Sequence, residues 1–290
     1  MSISIAHLGP PGTYAEQATI FYVKWLVKNI GIECSLNPYP SIAQSLQALV
    51  QGKTHLAVVP VENSIEGSVT MTMDTLWQLE SLQIQSALVL PIAHNLISCA
   101  ASLEEIKTVY SHPQALAQCQ RWLEQFLPQV QIIANNSTTE ALERLEQEPT
   151  TATIASSRAA QLYNLPILAS GINDYPGNCT RFWVVSQDKP NTRPNKSKPS
   201  ASHTSLAFSL PANVPGALVK PLQIFAQLGI NLSRIESRPT KRSLGEYLFF
   251  IDVEADANET QMQSALAELS VYTEILRILG SYNVLPVSSL

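Results

Sequence analysis

Four short clusters of small polar residues are the parts of this sequence whose residue types could do chemistry. They occupy residues 9–14, 60–69, 111–115 and 176–182 of a 290-residue chain. Each lies at a junction between a turn and a predicted strand or helix. In an α/β sheet such junctions lie at the carboxyl ends of strands, where ligands bind, and the amides at a helix start attract anions. Together the clusters predict a site for a small anion.

The first and third clusters also fit an ordinary helix start. Thr13 and Glu16 have the spacing of a capping box, in which the Thr13 hydroxyl accepts the Glu16 amide and the Glu16 carboxylate reaches back. Ser111 and Gln114 repeat that spacing. A lone histidine is more often structural, so His112 is given no acid–base role. Anion binding and capping both stay open for the first cluster, and a titrating His112 and helix capping by Ser111 and Gln114 are the two alternatives for the third.

The second cluster carries more polar groups than a turn usually needs. Four polar side chains fall within six positions after a predicted apolar strand: Asn63, Ser64, Glu66 and Ser68. The structural alternative is an Asx turn with a helix cap. In the fourth cluster, Arg181 at a strand start could pair with a substrate carboxylate, and the alternative is a turn that leads into an edge strand.

Composition excludes several classes of protein. Hydrophobic residues make up 45% of the chain and the net charge is only −5, which excludes a disordered chain. The acidic balance, 18 Lys and Arg against 23 Asp and Glu, argues against a nucleic-acid partner bound through bulk charge. The four cysteines form no C-x-x-C pair and no histidine lies at ligand spacing beside them, so we expect no metal.

No targeting segment or membrane span is predicted. The first residues lack a positively charged region, and the most apolar window, 86–101, is interrupted by Pro91, His94 and Asn95. Sparse, unpaired cysteines suit a reducing compartment. We therefore expect a cytoplasmic protein without a membrane partner.

The elements that would position the clusters alternate between strand and helix in the first part of the chain. Strands are predicted at 3–8 and 55–61, and helices after caps at Thr13 and Ser41, the first ending at Gly31. Further helix starts are predicted at 102–105, 111–114 and 137–140. This alternation predicts an α/β sheet with helices on both faces.

A polar, proline-containing stretch divides the chain. Its composition is typical of a linker. The residues after it are predicted to follow the order strand, helix, strand, strand, helix, strand, which is the βαββαβ order of the ferredoxin-like fold. We place a first domain at 1–186, the linker at 187–203 and a second domain at 204–283. The first domain is predicted to be an independent folding unit.

Four motifs in this order resemble those of the prephenate dehydratase family over nearly the whole chain. They are GPPGTY at 9–14, VENSIEGSV at 61–69, SHPQALAQC at 111–119 and TRF at 180–182. The second domain resembles that family's ACT regulatory domain, with Gly216-Ala217-Leu218 and Glu236-Ser237-Arg238-Pro239 matching its two phenylalanine-binding motifs. One departure is Pro-Gly-Asn at 176–178, where the family often has two asparagines.

The resemblance implies a fold and a reaction. The catalytic domain would be α/β and two-lobed, like a type II periplasmic binding protein, with the chain crossing between lobes near 88–94 and 174–179. An α+β ferredoxin-like ACT domain would follow. The reaction would be the decarboxylating dehydration of prephenate to phenylpyruvate, a lyase step in L-phenylalanine biosynthesis. It would need no cofactor, because formation of the aromatic ring drives it.

The resemblance also implies roles for individual residues. Thr180 would be the essential catalytic residue and would hydrogen-bond the leaving oxygen. Glu66 is the nearest ionisable candidate for a true acid, and Arg181 with helix amides would hold the carboxylates. The substrate site would comprise Thr13, Asn63, Ser64, Glu66, Gly67, Ser111, Gln114, Arg181 and Phe182.

Phenylalanine would be an allosteric effector bound where ACT domains pair. Its site would comprise Gly216, Ala217, Leu218, Asn231, Leu232, Glu236 and Ser237. Gly216 would let the effector carboxylate approach helix amides, and Glu236 would receive its ammonium group. We therefore expect a homodimer or homotetramer.

Two other functions stay open. One is arogenate dehydratase, whose substrate carries an amino group in place of the side-chain keto group; assays of both substrates separate the two. The other is a ligand-sensing binding protein without catalysis, which would form no phenylpyruvate from prephenate.

Overall fold

The apolar stretches of the first domain form two sheets in two lobes, and the C-terminal residues form a third unit against the first lobe. The computed structural model describes residues 2–135, 138–187 and 201–286. Among the helices of this described part, none is both long and apolar enough to cross a membrane.

Lobe 1 contains residues 2–91 and 179–187. Its strands are β1 (Ser2–Leu8), β2 (Glu33–Tyr39), β3 (Leu56–Asn63), β4 (Gly67–Ser68), β5 (Leu82–Pro91) and β11 (Cys179–Gln187). Its helices are α1 (Tyr14–Ile30), α2 (Ile42–Val50) and α3 (Thr70–Gln78). The strand order is β5-β11-β3-β1-β2, with β4 paired to β3. Buried side chains of α1 cover one sheet face and those of α2 and α3 the other, which confirms the predicted α/β layering.

Lobe 2 contains residues 95–170. Its strands are β6 (Asn95–Ile97), β7 (Thr108–Ser111), β8 (Gln131–Ala134), β9 (Thr151–Ala155) and β10 (Ile167–Ser170), in the order β10-β6-β9-β7-β8. Its helices are α4 (Pro113–Ala117), α5 (Gln120–Phe126), α6 (Thr138–Arg144) and α7 (Ser157–Tyr163).

The chain passes between the lobes twice, at 92–94 and 171–178, as predicted. The two crossings are bonded to each other: the Ile92 amide donates to the Asn178 carbonyl and the Ile172 amide to the His94 carbonyl, both at 2.9 Å. These paired crossings confirm the predicted two-lobed architecture of the first domain.

Local capping explains where the helices of lobe 1 begin and end. The hydroxyls of Thr13 and Ser41 accept the amides of Glu16 and Gln44, both at 3.2 Å. Gly31 ends α1 in the left-handed region, at φ 73°. All three positions were predicted from the sequence.

Two predicted helix starts in lobe 2 are wrong in detail. Residues 102–105 form only a 3₁₀ turn, Leu103–Glu105, because Ser102 makes no side-chain cap and the chain is extended again at Ile106. Ser111 ends β7, and the cap of α4 is His112, whose Nδ1 accepts the Gln114 amide at 3.3 Å. For the third start, Ser137 lies outside the described residues.

The C-terminal unit has the predicted βαββαβ order. Its elements are β12 (His203–Ser209), α8 (Val219–Gln227), β13 (Leu232–Pro239), β14 (Tyr247–Val253), α9 (Thr260–Tyr272) and β15 (Ile275–Pro286). The strand order is β13-β14-β12-β15, and both helices pack on one sheet face. Helix α8 begins at Val219, because residues 215–218 before it form turns.

The last strand joins this unit to lobe 1. β15 pairs antiparallel with β12 and then, over Asn283–Pro286, parallel with β5, so one continuous sheet spans both units. Gly280 lies at the transition, where an added Cβ would collide with the backbone oxygen of Ile84. The core is shared as well: Phe250 and Tyr282 are buried in the same cluster as Trp183.

The predicted linker falls largely on residues outside the described part of the chain. Its position, and the boundaries at 186 and 204, therefore stay predictions. The predicted end of the second domain at 283 falls within β15, which continues to Pro286 in the sheet of lobe 1.

Candidate active site

Asn63 and Thr180 form the centre of the polar cluster at the junction between the lobes. Asn63 ends β3, Thr180 is the second residue of β11, and the two are cross-strand partners. The Asn63 Nδ2 group donates to Thr180 Oγ1 at 2.9 Å.

The orientation of the Asn63 amide is determined by the backbone that follows it. Its Oδ1 atom accepts the amides of Ile65 and Glu66, both at 3.0 Å, so its NH₂ group faces Thr180. Thr180 Oγ1 is therefore an acceptor from Asn63, and its own proton is directed elsewhere.

The cluster extends across the lobes through Asn178 and Gln118. Asn63 also donates to Asn178 Oδ1 at 2.8 Å, and Asn178 Nδ2 donates to Gln118 Oε1 at 2.8 Å. Gln118, at the end of α4 in lobe 2, donates through Nε2 to Glu66 Oε1 at 3.1 Å. The carboxylate of Glu66 is thus held by a side chain of the opposite lobe.

His94 closes the cluster from the first crossing. Its Nε2 atom lies 3.0 Å from Gln118 Oε1, and its Nδ1 atom lies 3.0 Å from the Tyr14 hydroxyl. Burial lowers the pKa of His94, and the bond to Gln118 offsets this in part. Burial therefore favours the neutral form of the imidazole.

A second contact joins the lobes at the beginnings of α1 and α7. Arg158 contacts both carboxylate oxygens of Glu16, at 3.1 and 3.2 Å, and Ser156 Oγ donates to the Gly12 carbonyl at 2.7 Å. Burial by itself would raise the pKa of Glu16, but the Arg158 guanidinium and the Gly12 amide lower it overall. Glu16 is therefore an ionised link between the lobes.

Comparison with known families identifies this arrangement. The prephenate dehydratase family model matches residues 5–190, and the ACT domain model matches residues 204–271. The chain belongs to the prephenate dehydratase family. Its members are lyases that catalyse the decarboxylating dehydration of prephenate, so the predicted enzyme class is confirmed.

Similar proteins match over almost their full length. A prephenate dehydratase of Lactococcus lactis subsp. cremoris is 36% identical over 285 residues, 97% of this chain and 98% of that protein. The crystal structure of a prephenate dehydratase of Arthrobacter aurescens in complex with L-Phe has a TM-score of 0.81 at 33% identity, covering 97% of this chain and 90% of the other. A structure described as a novel type of quorum quenching acylase has a TM-score of 0.82 at 29% identity, covering 98% and 99%.

The structure places two residues of the family's Thr-Arg-Phe motif away from the polar cluster. Arg181 points to the sheet face opposite Thr180, because side chains alternate along a strand, and its Nη1 donates to Asp252 of the ACT domain at 3.2 Å. Phe182 is 2% exposed and packs in the core beneath α1. Arg181 thus joins the domains and Phe182 is a core residue, while the expected contact of both with substrate stays a prediction.

Three other predicted substrate residues make local bonds. The Thr13 hydroxyl donates to the Leu8 carbonyl at 3.1 Å besides capping α1. Ser111 is buried and donates to the Ile154 carbonyl at 2.7 Å, and Gln114 is exposed at the beginning of α4. For these three the structure supports the capping or structural alternative over a place in the cluster.

Ser64 and Gly67 shape the loop that carries Glu66. The Ser64 hydroxyl accepts the Cys179 amide at 3.0 Å and lies 3.3 Å from Asn178 Oδ1, so it ties the loop to the second crossing. Gly67 has φ 80°, a conformation that favours glycine, and it is the first residue of β4.

Four residues of the cluster were not predicted as site residues: Tyr14, His94, Gln118 and Asn178. Tyr14, Gln118 and Asn178 lie within or next to the motifs quoted above, so the motifs were a signal for them. His94 stands alone in an apolar stretch, and only the tertiary structure brings it to Gln118.

The predicted effector residues lie on two elements of the ACT domain. Gly216, Ala217 and Leu218 form the turn before α8, and Leu232, Glu236 and Ser237 lie on β13, with Asn231 just before it. Glu236 Oε2 accepts a hydrogen bond from Ser68 Oγ at 2.8 Å. In this conformation Glu236 therefore faces the catalytic domain of its own chain.

No metal site is found in the part of the chain that the structure describes. It contains no group of three or more His, Cys, Asp or Glu side chains that could hold a metal ion. Turnover without metal or cofactor stays a prediction.

Proposed function

We propose that this chain binds prephenate at the junction between the lobes and that Thr180 hydrogen-bonds the C4 hydroxyl as it leaves. The observation that carries this proposal is the bond from Asn63 to Thr180. Because Asn63 occupies an acceptor position of Thr180 Oγ1, the Thr180 proton is available to an oxygen that gains negative charge.

The reaction breaks two bonds of prephenate and needs one proton. The carboxylate on the ring leaves as CO₂, its bonding electrons complete the aromatic ring, and the C4–O bond breaks to release hydroxide, which the proton converts to water. A threonine hydroxyl is a weak acid, so Thr180 acts by hydrogen bonding in the transition state. Glu66, held at Oε1 by Gln118, is our candidate for the group that supplies the proton.

The carboxylates of the substrate need positive potential that Arg181 does not supply, since its guanidinium pairs with Asp252. We assign this role to the first-turn amides of α1, which begin next to the contact between the lobes. The dianion would then lie between the helix start and the Asn63–Thr180 pair.

Matched variants at Thr180 test the assignment. Thr180→Ala removes the donor, and loss of one such donor typically lowers turnover about 10²–10³-fold. Thr180→Ser keeps the hydroxyl and should retain most of the turnover. Formation of phenylpyruvate from prephenate, followed by absorbance, measures both. Near-normal turnover of Thr180→Ala would remove Thr180 from the mechanism.

Assays with different substrates distinguish the proposed function from two alternative activities. Arogenate differs from prephenate only in its side chain, so the same assay with arogenate determines the preference. The resemblance to a structure described as an acylase shows that this fold alone does not fix an activity. Turnover of prephenate that depends on the Thr180 hydroxyl supports dehydration.

We further propose that phenylalanine regulates the enzyme at the predicted effector residues, in a cytoplasmic homo-oligomer formed through ACT domains. The L-Phe complex of the relative and the ACT match support this effector. β13 is at the edge of the sheet and carries exposed Ile235, so a second copy could pair there. The native mass of the protein, measured with and without phenylalanine, distinguishes monomer, dimer and tetramer.

A further inference from the structure

We propose that Asp74 of the catalytic domain, held by Arg238 and Lys241 of the ACT domain, transmits phenylalanine binding to the loop at 63–67. This route rests on the proposed function, because phenylalanine must be the effector and the junction between the lobes must be the active site. The experiments below separate failure of the route from failure of the proposed function.

One face of β13 lies against the catalytic domain. Side chains alternate along a strand, and in β13 Arg234 is buried while Glu236 and Arg238 are half-buried. Ile235 and Ser237, which alternate with them, are exposed. The strand that carries predicted effector residues therefore also has a face docked on the catalytic domain.

The docked face of β13 contacts one short stretch of the catalytic domain, in β4 and α3. Glu236 accepts the hydrogen bond from Ser68 Oγ at 2.8 Å, and Arg234 Nη2 lies 3.3 Å from the same oxygen. Arg238 donates through Nε and Nη2 to the two carboxylate oxygens of Asp74, at 3.0 and 3.1 Å. Because this pair is bidentate, it fixes the direction of approach as well as the distance.

Asp74 is held by two cations of the ACT domain. Besides the two bonds from Arg238, Lys241 Nζ donates to Asp74 Oδ2 at 2.8 Å. The side chains of Asp74 and Arg238 are only 14% and 21% exposed, so water screens them less than a surface ion pair. Burial by itself would raise the pKa of Asp74, but the hydrogen bonds from Arg238 and Lys241 lower it overall. The contact is therefore ionic near neutral pH.

Helix α3 connects Asp74 to the loop that carries Glu66. Only Val69 separates α3 from β4, and the first residue of β4, Gly67, directly follows Glu66. Gly67 is also the cross-strand partner of Asn63 at the end of β3. A displacement of Asp74 therefore moves a helix whose beginning is tied to both ends of the loop at 63–67.

The position of β13 in the sheet makes it sensitive to movement of the ACT domain. The ACT sheet joins lobe 1 through β15, and β13 lies three strands further away, paired with β14 alone among the described strands. At about 4.8 Å between strands, β13 is about 14 Å from β15. A rotation of about 5° around β15 would move β13 by about 1 Å, enough to weaken hydrogen bonds, whose lengths vary by only about 0.5 Å. An effector that turns the ACT sheet would therefore act on Asp74.

Asp74→Asn separates transmission from effector binding. It keeps the size of the side chain and removes its charge, and the domains stay joined because β15 still pairs with β5. By calorimetry, phenylalanine should bind no more than about three-fold more weakly than to wild type. The factor by which saturating phenylalanine lowers prephenate turnover should fall about five-fold or more.

Two further substitutions are the controls for charge. Asp74→Glu keeps the negative charge and should retain most of the inhibition. Glu33→Gln removes a negative charge from an exposed position of β2 and should behave as wild type.

Three outcomes would overturn this route. Inhibition of Asp74→Asn as strong as in wild type would show that the ion pairs transmit nothing. Loss of phenylalanine binding by Asp74→Asn would show that Asp74 supports the effector site itself. Wild-type protein that converts prephenate without inhibition by phenylalanine would refute the proposed regulation, and this route with it, before any variant is compared.

Hydrogen exchange of the wild-type protein tests the same route without a variant. Addition of phenylalanine should change the exchange rates of backbone amides in residues 66–78, and those of β2, at the opposite edge of the sheet, should stay constant. Unchanged exchange over 66–78 in wild-type protein that phenylalanine inhibits would overturn the proposal.

Discussion

Glu236 of the ACT domain accepts a hydrogen bond of 2.8 Å from Ser68 of the catalytic domain. Ser68 lies on β4, which pairs with Glu62 and Asn63 of β3, so this contact reaches the strand that ends at the site. The carboxylate that we assign to the effector ammonium group is thus already bonded to the catalytic domain. An effector that binds Glu236 would compete with Ser68 or reorient it.

Ser68→Ala should weaken feedback inhibition without abolishing phenylalanine binding. The substitution removes the hydroxyl that bonds Glu236, so binding at the ACT domain is no longer transmitted to β4. Inhibition curves and calorimetry on the same protein measure the two effects. Ser264→Ala, whose hydroxyl bonds only within α9, is the matched control. Inhibition as strong as in wild type would exclude this route.

Gly216→Val should abolish phenylalanine binding and leave uninhibited turnover nearly unchanged. Gly216 has φ 81°, which strains any branched side chain, so the turn before α8 must change its backbone path. Gly229→Val is the control, since Gly229 has φ 66° at the other end of α8 and equally open surroundings. If both variants bind phenylalanine with wild-type affinity by calorimetry, the effector site lies elsewhere.

Asn63→Asp should lower kcat about 10²-fold or more, because a carboxylate oxygen would replace the NH₂ donor and draw the Thr180 proton toward itself. The aspartate can still accept hydrogen bonds from the backbone amides of residues 65 and 66, so the loop should keep its conformation. Asn29→Asp, the same change at an exposed position of α1, should leave kcat unaffected. Turnover assays and thermal unfolding of both variants provide the comparison; an active Asn63→Asp enzyme contradicts the proposed geometry.

A chain that ends at Gln187 is predicted to convert prephenate without responding to phenylalanine. The structure adds that it should unfold at a lower temperature than the full chain. Truncation removes β15 from the side of β5, uncovers the fully buried Trp183 and leaves Arg181 without Asp252. Calorimetric unfolding and turnover at low temperature test both statements. A folded but inactive fragment would mean that the ACT domain completes the site.

The Glu16–Arg158 contact should make stability depend on pH. The folded pKa of Glu16 is lowered, so its contribution is present above the unfolded pKa and is lost as pH falls through the folded pKa. The difference in Tm between wild type and Glu16→Gln should therefore be largest near neutral pH and shrink below about pH 4. Glu33→Gln, an exposed residue of β2, is the control. A difference that stays constant with pH would show that Glu16 does not act through its charge.

Local signals in the sequence determined the elements and the family. Thr13, Ser41 and Gly31 act within one helical turn, so their roles follow from residue type and spacing alone. The βαββαβ order of the C-terminal domain follows from its apolar pattern in the same way. The prediction that Asn63, Glu66 and Thr180 share one site came from the resemblance to a known family. Several specific motifs in the family's order are enough to show that resemblance in a single sequence.

Only the tertiary structure decided which side chains of each motif enter the site. Thr180 and Arg181 are adjacent, yet the pleat of β11 sends them to opposite faces, and the partner of Arg181, Asp252, is 71 positions away. His94 meets Gln118 because the two crossings between the lobes are bonded together. Likewise, β15 enters the sheet of lobe 1 because β5 offers an unpaired edge there. Such contacts depend on the packing of distant segments, and no local pattern of residues encodes them.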